Sequence, residues 1–417
     1  MAGVIDLLRT GAWLTCERMR LVALALLAAF VLGAGFLIAT SDGLNDRFGR
    51  PLGTDFSNVY AAGTYVLDGE PAAPFDPAKQ FAREQAIFGQ ATQFYGWHYP
   101  PFFLGLAGLL AAMPYWLALI VWQGATLGLY LLSMRAIVPD DLPEKIKSDR
   151  LWFLLALAFP AVVINLGQAH NGFLTAALIG AALVMLDERP ILAGILIGCL
   201  AYKPQFGLLI PLVLIATGRW RAFAAAAATV ALMALAVTFA FGIDVWTAFL
   251  ASTKFTRTVV LEQGGTGWYK IQSVFSWVRM WGGGVTLAYA AQGAVMLLVA
   301  AALTWLWRSP AAYPLKAAGL LIGSTLATPY SLDYDLMVLA PAIAYLALDG
   351  FTRGFAPYEK TILAALWIVP LVARSIPQAT LIPLAVPTML LAFALLLRLA
   401  MHETGAIQAS GVLRRVP

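Results

Sequence analysis

The run Leu21 to Thr40 carries no charged side chain, and as a helix it is long enough to cross the ~30 Å hydrocarbon core of a bilayer. Inside hydrocarbon every backbone amide and carbonyl must be satisfied by the chain itself, so a run of this kind folds as a spanning helix. Comparable apolar runs recur along the chain, and 61% hydrophobic with only 12% charged residues exceeds what a soluble core needs. The sequence therefore reads as an all-α polytopic membrane protein, one unit over residues 1–417. Arg9, Arg18 and Arg20 precede the first run, which puts the N-terminus in the cytoplasm and the next loop outside. That run exceeds a signal h-region and no small-residue cleavage site follows, so it reads as an uncleaved anchor.

Continuing the alternation gives about twelve spans with both termini inside. Basic clusters at Lys145, Lys147 and Arg150, at Arg219 and Arg221, at Arg308 and Lys316, at Arg353 and Lys360, and at Arg398, Arg414 and Arg415 mark cytoplasmic ends. The outer face then holds a first loop, Ser41 to His98, a second, Ile243 to Gly284, and the polar tips Gly167 to Gly172, Lys203 to Gln205 and Thr328 to Asp335. Pro100 to Met113 is apolar but short for a crossing, and reads as an interfacial or re-entrant helix on the outer side. The net charge of +5 reports orientation, because the basic residues sit in short loops; no nucleic-acid partner follows. Cys16 and Cys199 make neither a disulfide framework nor a metal site.

Polar groups near hydrocarbon are costly, so their gathering on one side calls for an explanation. Asp55, in Gly53-Thr54-Asp55-Phe56, is an acid at the outer face. His98, Gln168, His170, Asn171, Lys203, Gln205, Asp333 and Asp335 would surround the same cavity if the helices bundle in order. Cations and imidazoles suit a phosphate, carboxylates and amides suit hydroxyls, and the loop Gly264 to Lys270 adds an aromatic, cationic flap. Each residue also has a plainer role. Asp55 can cap the helix it precedes, His98 can belong to an aromatic belt, and Lys203 can snorkel to headgroups. Asp333 and Asp335, two apart, lie on different sides of a helix.

These residues, in order, resemble a known family. Gly53-Thr54-Asp55-Phe56, Trp97-His98-Tyr99-Pro100-Pro101, Gly167-Gln168 with Asn171, Lys203-Pro204-Gln205, Arg219-Trp220-Arg221 and Thr328-Pro329-Tyr330-Ser331 are similar to glycosyltransferase family 87 of the GT-C superfamily, over roughly Arg50 to Ala340. The resemblance implies a GT-C bundle of about 12 transmembrane helices with outer-face juxtamembrane helices and loops. It also implies an integral inner-membrane enzyme of the cell envelope, working on the outer side. The family includes polyprenol-phosphate-mannose-dependent α-1,2-mannosyltransferases of glycolipid assembly, whose first-loop aspartate, here Asp55, is taken as the base. Where other members carry a Ser-Trp-x-His-His pattern, this chain reads Ser331-Leu332-Asp333-Tyr334-Asp335, which removes the histidines from that place.

The implied chemistry is inverting transfer of a hexose, mannose first, from a polyprenyl phosphate to a glycolipid or glycan acceptor, with membrane lipid around it. One base takes the acceptor proton, and Asp55 is the candidate. Lys203, His98, His170, Arg257 and Lys270 are the candidates for the donor phosphate. Tyr99, Gln168, Asn171, Gln205, Trp268, Tyr269, Asp333 and Asp335 are those for sugar and acceptor hydroxyls. No divalent metal and no cofactor is expected. The alternatives are a transporter or flippase for a lipid-linked glycan or solute, which would show repeated halves and broken helices at the midplane, and a non-catalytic assembly subunit.

Overall fold

The computed structural model describes residues 2–138 and 150–409. Lys145 and Lys147, and Arg414 and Arg415 of the tail, lie outside the described residues. Those described are helical, with isolated two-residue bridges in place of sheets. Six helices have the length and composition to cross a membrane: Cys16–Ala39, Tyr115–Ile137, Trp220–Phe241, Val285–Arg308, Asp333–Arg353 and Ala385–Gly405. The pair Leu151–Leu157 and Pro160–Gln168, bent by 42°, makes a seventh if taken as one span. The bend falls at Pro160, whose ring cannot follow a helical residue without breaking the hydrogen-bond ladder.

The expected twelve crossings are not reproduced by length. Gly172–Met185, Pro190–Tyr202 and Pro204–Ala216 are apolar but too short to span alone. They were read as spans because an apolar run looks the same whether lipid or protein covers it. Here protein covers much of it: Phe173, Ile179, Leu183, Leu200, Phe206, Ile210 and Leu214 lie in the main buried cluster. The long helices form the rim. Cys16–Ala39 fully buries only Ala23, which leaves a broad apolar face for lipid.

Lipid tails are as apolar as leucine, so helices associate in a bilayer mainly by close packing at small residues. Gly194 and Gly198, one turn apart, lie against Trp220–Phe241: a Cβ at Gly194 would stand 2.3 Å from the Ala222 carbonyl oxygen, and one at Gly198 2.5 Å from Thr229 Cβ. Alanine at either place would push the helices apart. Outside the long helices, Leu104–Ala111, which is too short to span alone, packs against Phe56–Leu67. A second buried cluster, with Phe56, Trp97, Tyr99, Phe103, Tyr115 and Trp122, binds this layer to the bundle.

Candidate functional site

Asp55 occupies the N-cap position of Phe56–Leu67 with helical dihedrals, φ −74° and ψ −18°, and its side chain makes no capping hydrogen bond. A capping aspartate has extended dihedrals and spends an oxygen on the N2 or N3 amide, so the carboxylate is not used as a cap. It is held from elsewhere. Its backbone N–H donates to the Gln168 carbonyl at 3.0 Å; with the Gln168 amide assigned the orientation that satisfies both of its neighbours, its nitrogen donates to Asp55 Oδ2 at 3.1 Å and its oxygen accepts from Arg374 Nη2 at 2.7 Å. Gly53 makes the approach possible. Its φ of +71° is left-handed, and a Cβ there would lie 2.7 Å from Leu119 and 3.0 Å from Ala169.

Gln168 ends Pro160–Gln168, and the next residue, Ala169, is left-handed at φ 50°. A non-glycine residue there is strained by about 1 kcal/mol or more. The Ala169 carbonyl is fixed by the Trp122 indole N–H at 3.0 Å, and its amide by the Asn165 carbonyl. Asn165, fully buried, donates to the Tyr334 carbonyl at 2.9 Å and accepts from the Gly172 amide at 2.9 Å. The segment beside Asp55 is thus tied to the late loop around Tyr334.

Two ion pairs complete the cluster. Lys203 Nζ meets Asp335 Oδ1 at 2.5 Å, with both side chains almost fully buried; Asp335 Oδ2 also accepts the Leu332 amide at 3.0 Å. Arg374 Nε lies 2.5 Å from Asp333 Oδ2, and Arg374 Nη2 donates to Asp333 Oδ1 at 3.0 Å. Arg374 stays 39% exposed while Asp333 is sealed, so the guanidinium is the accessible member. Burial pushes the Asp55 carboxyl up to about 6; Arg374, Lys270 and Lys203 oppose the rise and Asp333 adds to it. A base of that pKa is ionised at neutral pH and still holds a proton well enough to accept one.

The expected candidates divide. Asp55, Gln168, His170, Lys203, Lys270, Asp333, Asp335 and Tyr99 converge. Lys203, expected at a phosphate, is instead closed off by Asp335, and Asp333 and Asp335, expected at hydroxyls, are taken up by cations. Tyr99 and His170 meet through the phenol oxygen and Nε2 at 3.1 Å, and the imidazole stacks on Tyr334 at 3.5 Å between centroids. Burial, with Lys203 and Arg374 nearby, holds His170 well below the usual imidazole range. Asn171 is buried with both amide atoms lacking a hydrogen-bond partner in the protein.

The others lie apart from the carboxylates. His98 Nδ1 pairs with Thr256 Oγ1 at 2.9 Å, and burial lowers its pKa to about 4, so it is neutral at pH 7. Arg257 is 64% exposed and 3.6 Å from Glu262. Trp268 donates to the Leu261 carbonyl under the Arg279 guanidinium, and Tyr269 lies beneath the Lys270 amine. Gln205 is only partly buried. The flap is clamped at its base, where the Gln272 amide donates to Ser331 at 2.7 Å and its side chain to Ala373 at 2.7 Å. Among the described residues no three His, Cys, Asp or Glu side chains converge as a metal-holding group.

Arg374, just past the helix Glu359–Val372, is not among the residues expected from the sequence. Glu84 was missed too. Fully buried on Pro77–Phe88, it accepts from the Tyr95 and Gly96 amides at 3.0 Å each and from Gln80 Nε2 at 3.1 Å. It fixes the irregular segment that leads into Trp97 and Tyr99. Its signal was faint: one acid on a polar helix.

Among known proteins, the model of glycosyltransferase family 87 matches residues 97–329, more than half of the chain. No curated protein and no solved structure matches it.

Proposed function

The chain belongs to glycosyltransferase family 87, and on that footing we propose that it moves a hexose, mannose by preference, from a polyprenyl phosphate to a glycolipid or surface-glycan acceptor at the outer face of the membrane. Membership sets the transporter reading aside. The observation that carries the proposal is the Asp55 carboxylate, which is not engaged as a cap, is raised by burial to about 6 and feels the charges of Arg374 and Lys270. In this mechanism Asp55 takes the proton of the acceptor hydroxyl as its oxygen bonds to the anomeric carbon, and the bond from that carbon to the phosphate oxygen breaks with inversion. Lys270 is the cation for the departing phosphate. It is half-buried and bears no ion pair among the described residues, whereas Lys203 is spent on Asp335 and the two histidines are neutral.

The short helices also favour a lipid-borne donor. Gly172–Met185 has 14 residues, a rise of about 21 Å, and the site lies at its N-terminal end. If its other end, near the exposed Asp187 and Arg219 pair, marks the cytoplasmic interface, the chemistry lies about 9 Å below the outer edge of a ~30 Å hydrocarbon layer. A polyprenyl phosphate reaches that depth with its tail still in lipid. The test is purified protein in nanodiscs supplied with a labelled acceptor and either polyprenyl-phosphate mannose or a nucleotide sugar. Transfer is expected from the lipid-linked sugar alone; direct use of the nucleotide sugar, with no lipid carrier, would overturn the proposal.

A further inference from the structure

We propose that Gln168 and Arg374 are positioning residues for Asp55, forming with Asp333 a hydrogen-bonded relay that engages one oxygen of the Asp55 carboxylate and leaves the other for the acceptor hydroxyl. The inference rests on Asp55 being the base, as proposed above. The geometry carries it. Arg374 is anchored on Asp333 by two contacts, Nε at 2.5 Å from Oδ2 and Nη2 at 3.0 Å from Oδ1. In the orientation of the Gln168 amide that satisfies both neighbours, the same Nη2 donates to the Gln168 oxygen at 2.7 Å and the Gln168 nitrogen donates to Asp55 Oδ2 at 3.1 Å. Gln168 is also the residue whose carbonyl accepts the Asp55 backbone amide at 3.0 Å, so one residue fixes both the main chain and the side chain of the base.

The relay fixes an amide that could otherwise rotate. With its oxygen committed to Arg374, the Gln168 side chain can present only N–H to Asp55, which favours the ionised carboxylate. The charges near Asp55 act in the same direction. Arg374, Lys270 and Lys203 favour its ionised form against burial, and Asp333 alone among the nearer acids disfavours it. Glu84 also acts on it, while the phenols Tyr95, Tyr99 and Tyr330 stay neutral because burial raises them. Without Arg374, Asp333 would stand unneutralised beside Asp55 and the amide would be free to turn its oxygen toward the carboxylate.

Two readouts separate this relay from the reading it rests on. The first follows the carboxylic-acid stretch of Asp55 by infrared spectroscopy across a pH titration of the protein in nanodiscs, assigned by its loss in Asp55→Asn. In Arg374→Gln the Asp55 titration should move up by about one pH unit or more, in Gln168→Met by less, and Arg374→Lys should restore most of the shift. This readout needs no substrate. The second is the pH profile of transfer from polyprenyl-phosphate mannose, where the acid limb of kcat/KM should move by the same amount as kcat falls at pH 6.5. An unmoved Asp55 titration in both Arg374→Gln and Gln168→Met overturns the relay even where transfer persists. A moved titration in a protein that transfers nothing from the lipid donor leaves the relay standing and removes the proposed donor. Should Arg374→Gln fail to fold, Gln168→Met, which keeps the Arg374 and Asp333 pair, decides alone.

Discussion

Replacing Asp55 by asparagine should separate catalysis from folding. Asparagine keeps the shape of the side chain, and its oxygen can still accept from the Gln168 amide, now made at 3.1 Å to Oδ2. No cap is lost, because the aspartate side chain makes none. Taking one negative charge away from Asp333 relieves repulsion while leaving Arg374 its principal partner, so stability should change by about 1 kcal/mol or less. Transfer should respond quite differently. A positioned general base contributes about 10²- to 10⁴-fold, or about 3–5 kcal/mol of barrier, and an amide cannot take the acceptor proton. The assay is single-turnover transfer in nanodiscs beside a thermal melt of the same preparation. In the wild type, with Asp55 titrating at about 6, kcat/KM should be flat from pH 7 to 8 and fall about tenfold per unit below pH 6, the sign required of a base lost to protonation. Turnover of Asp55→Asn within tenfold of wild type would refute the assignment. A collapse of its melting temperature would show the carboxylate to be structural.

Two further outcomes follow from the geometry. Lys203→Met should cost about 3–5 kcal/mol by stranding the buried Asp335 carboxylate, now 2.5 Å from the ammonium. Lys203→Met with Asp335→Leu should recover most of the loss in a thermal-denaturation cycle, and a neutral single variant would mean the pair is not structural. In a background lacking Cys16 and Cys199, cysteines at the exposed Gln263 and Glu188 should be labelled from opposite sides by an impermeant thiol reagent; labelling from one side would break the expected topology.

Much of the site was legible because hydrocarbon leaves few places for polar groups. Asp55, Gln168, Lys203, Asp333 and Asp335 could be placed on one side from apolar runs and basic turns, and the structure brings these five together. Which cation meets which carboxylate was not legible. The pairing of Lys203 with Asp335 and of Arg374 with Asp333 spans 132 and 41 positions, and depends on which helices become neighbours, on which the alternation of loops is silent. The charge state of the histidines was not legible for a related reason. Imidazole is a cation only where water or an acid supports the charge, and at His98 and His170 burial removes that support. The number of crossings was not legible where short apolar helices are partly covered by protein, since periodicity and composition do not distinguish a lipid-facing residue from one facing Gly194 or Gly198.

The charges of the site also constrain where the donor phosphate can lie in the proposed reaction. Before transfer, negative charge rests on ionised Asp55 and on a phosphodiester carrying one charge; afterwards Asp55 holds the acceptor proton and the released phosphate carries the charge that left it. The total is unchanged while one unit moves from carboxylate to phosphate. At ~4 Å and an effective dielectric constant of ~20, leaving that unit unopposed would cost about 4 kcal/mol, so a cation must serve both positions. Lys203 cannot, because Asp335 holds it on the buried side of the cluster. Arg374 is fixed on Asp333 and faces Asp55 through Gln168. Lys270 feels the charges of Asp55, Asp333 and Arg374 together, and it sits just after Gly267, at φ +86°, between the Trp268 indole held on Leu261 and the Ile271 and Gln272 clamp. On the proposed reading Lys270 is left as that cation, with the donor phosphate between Asp55 and the Lys270 end of the second outer loop.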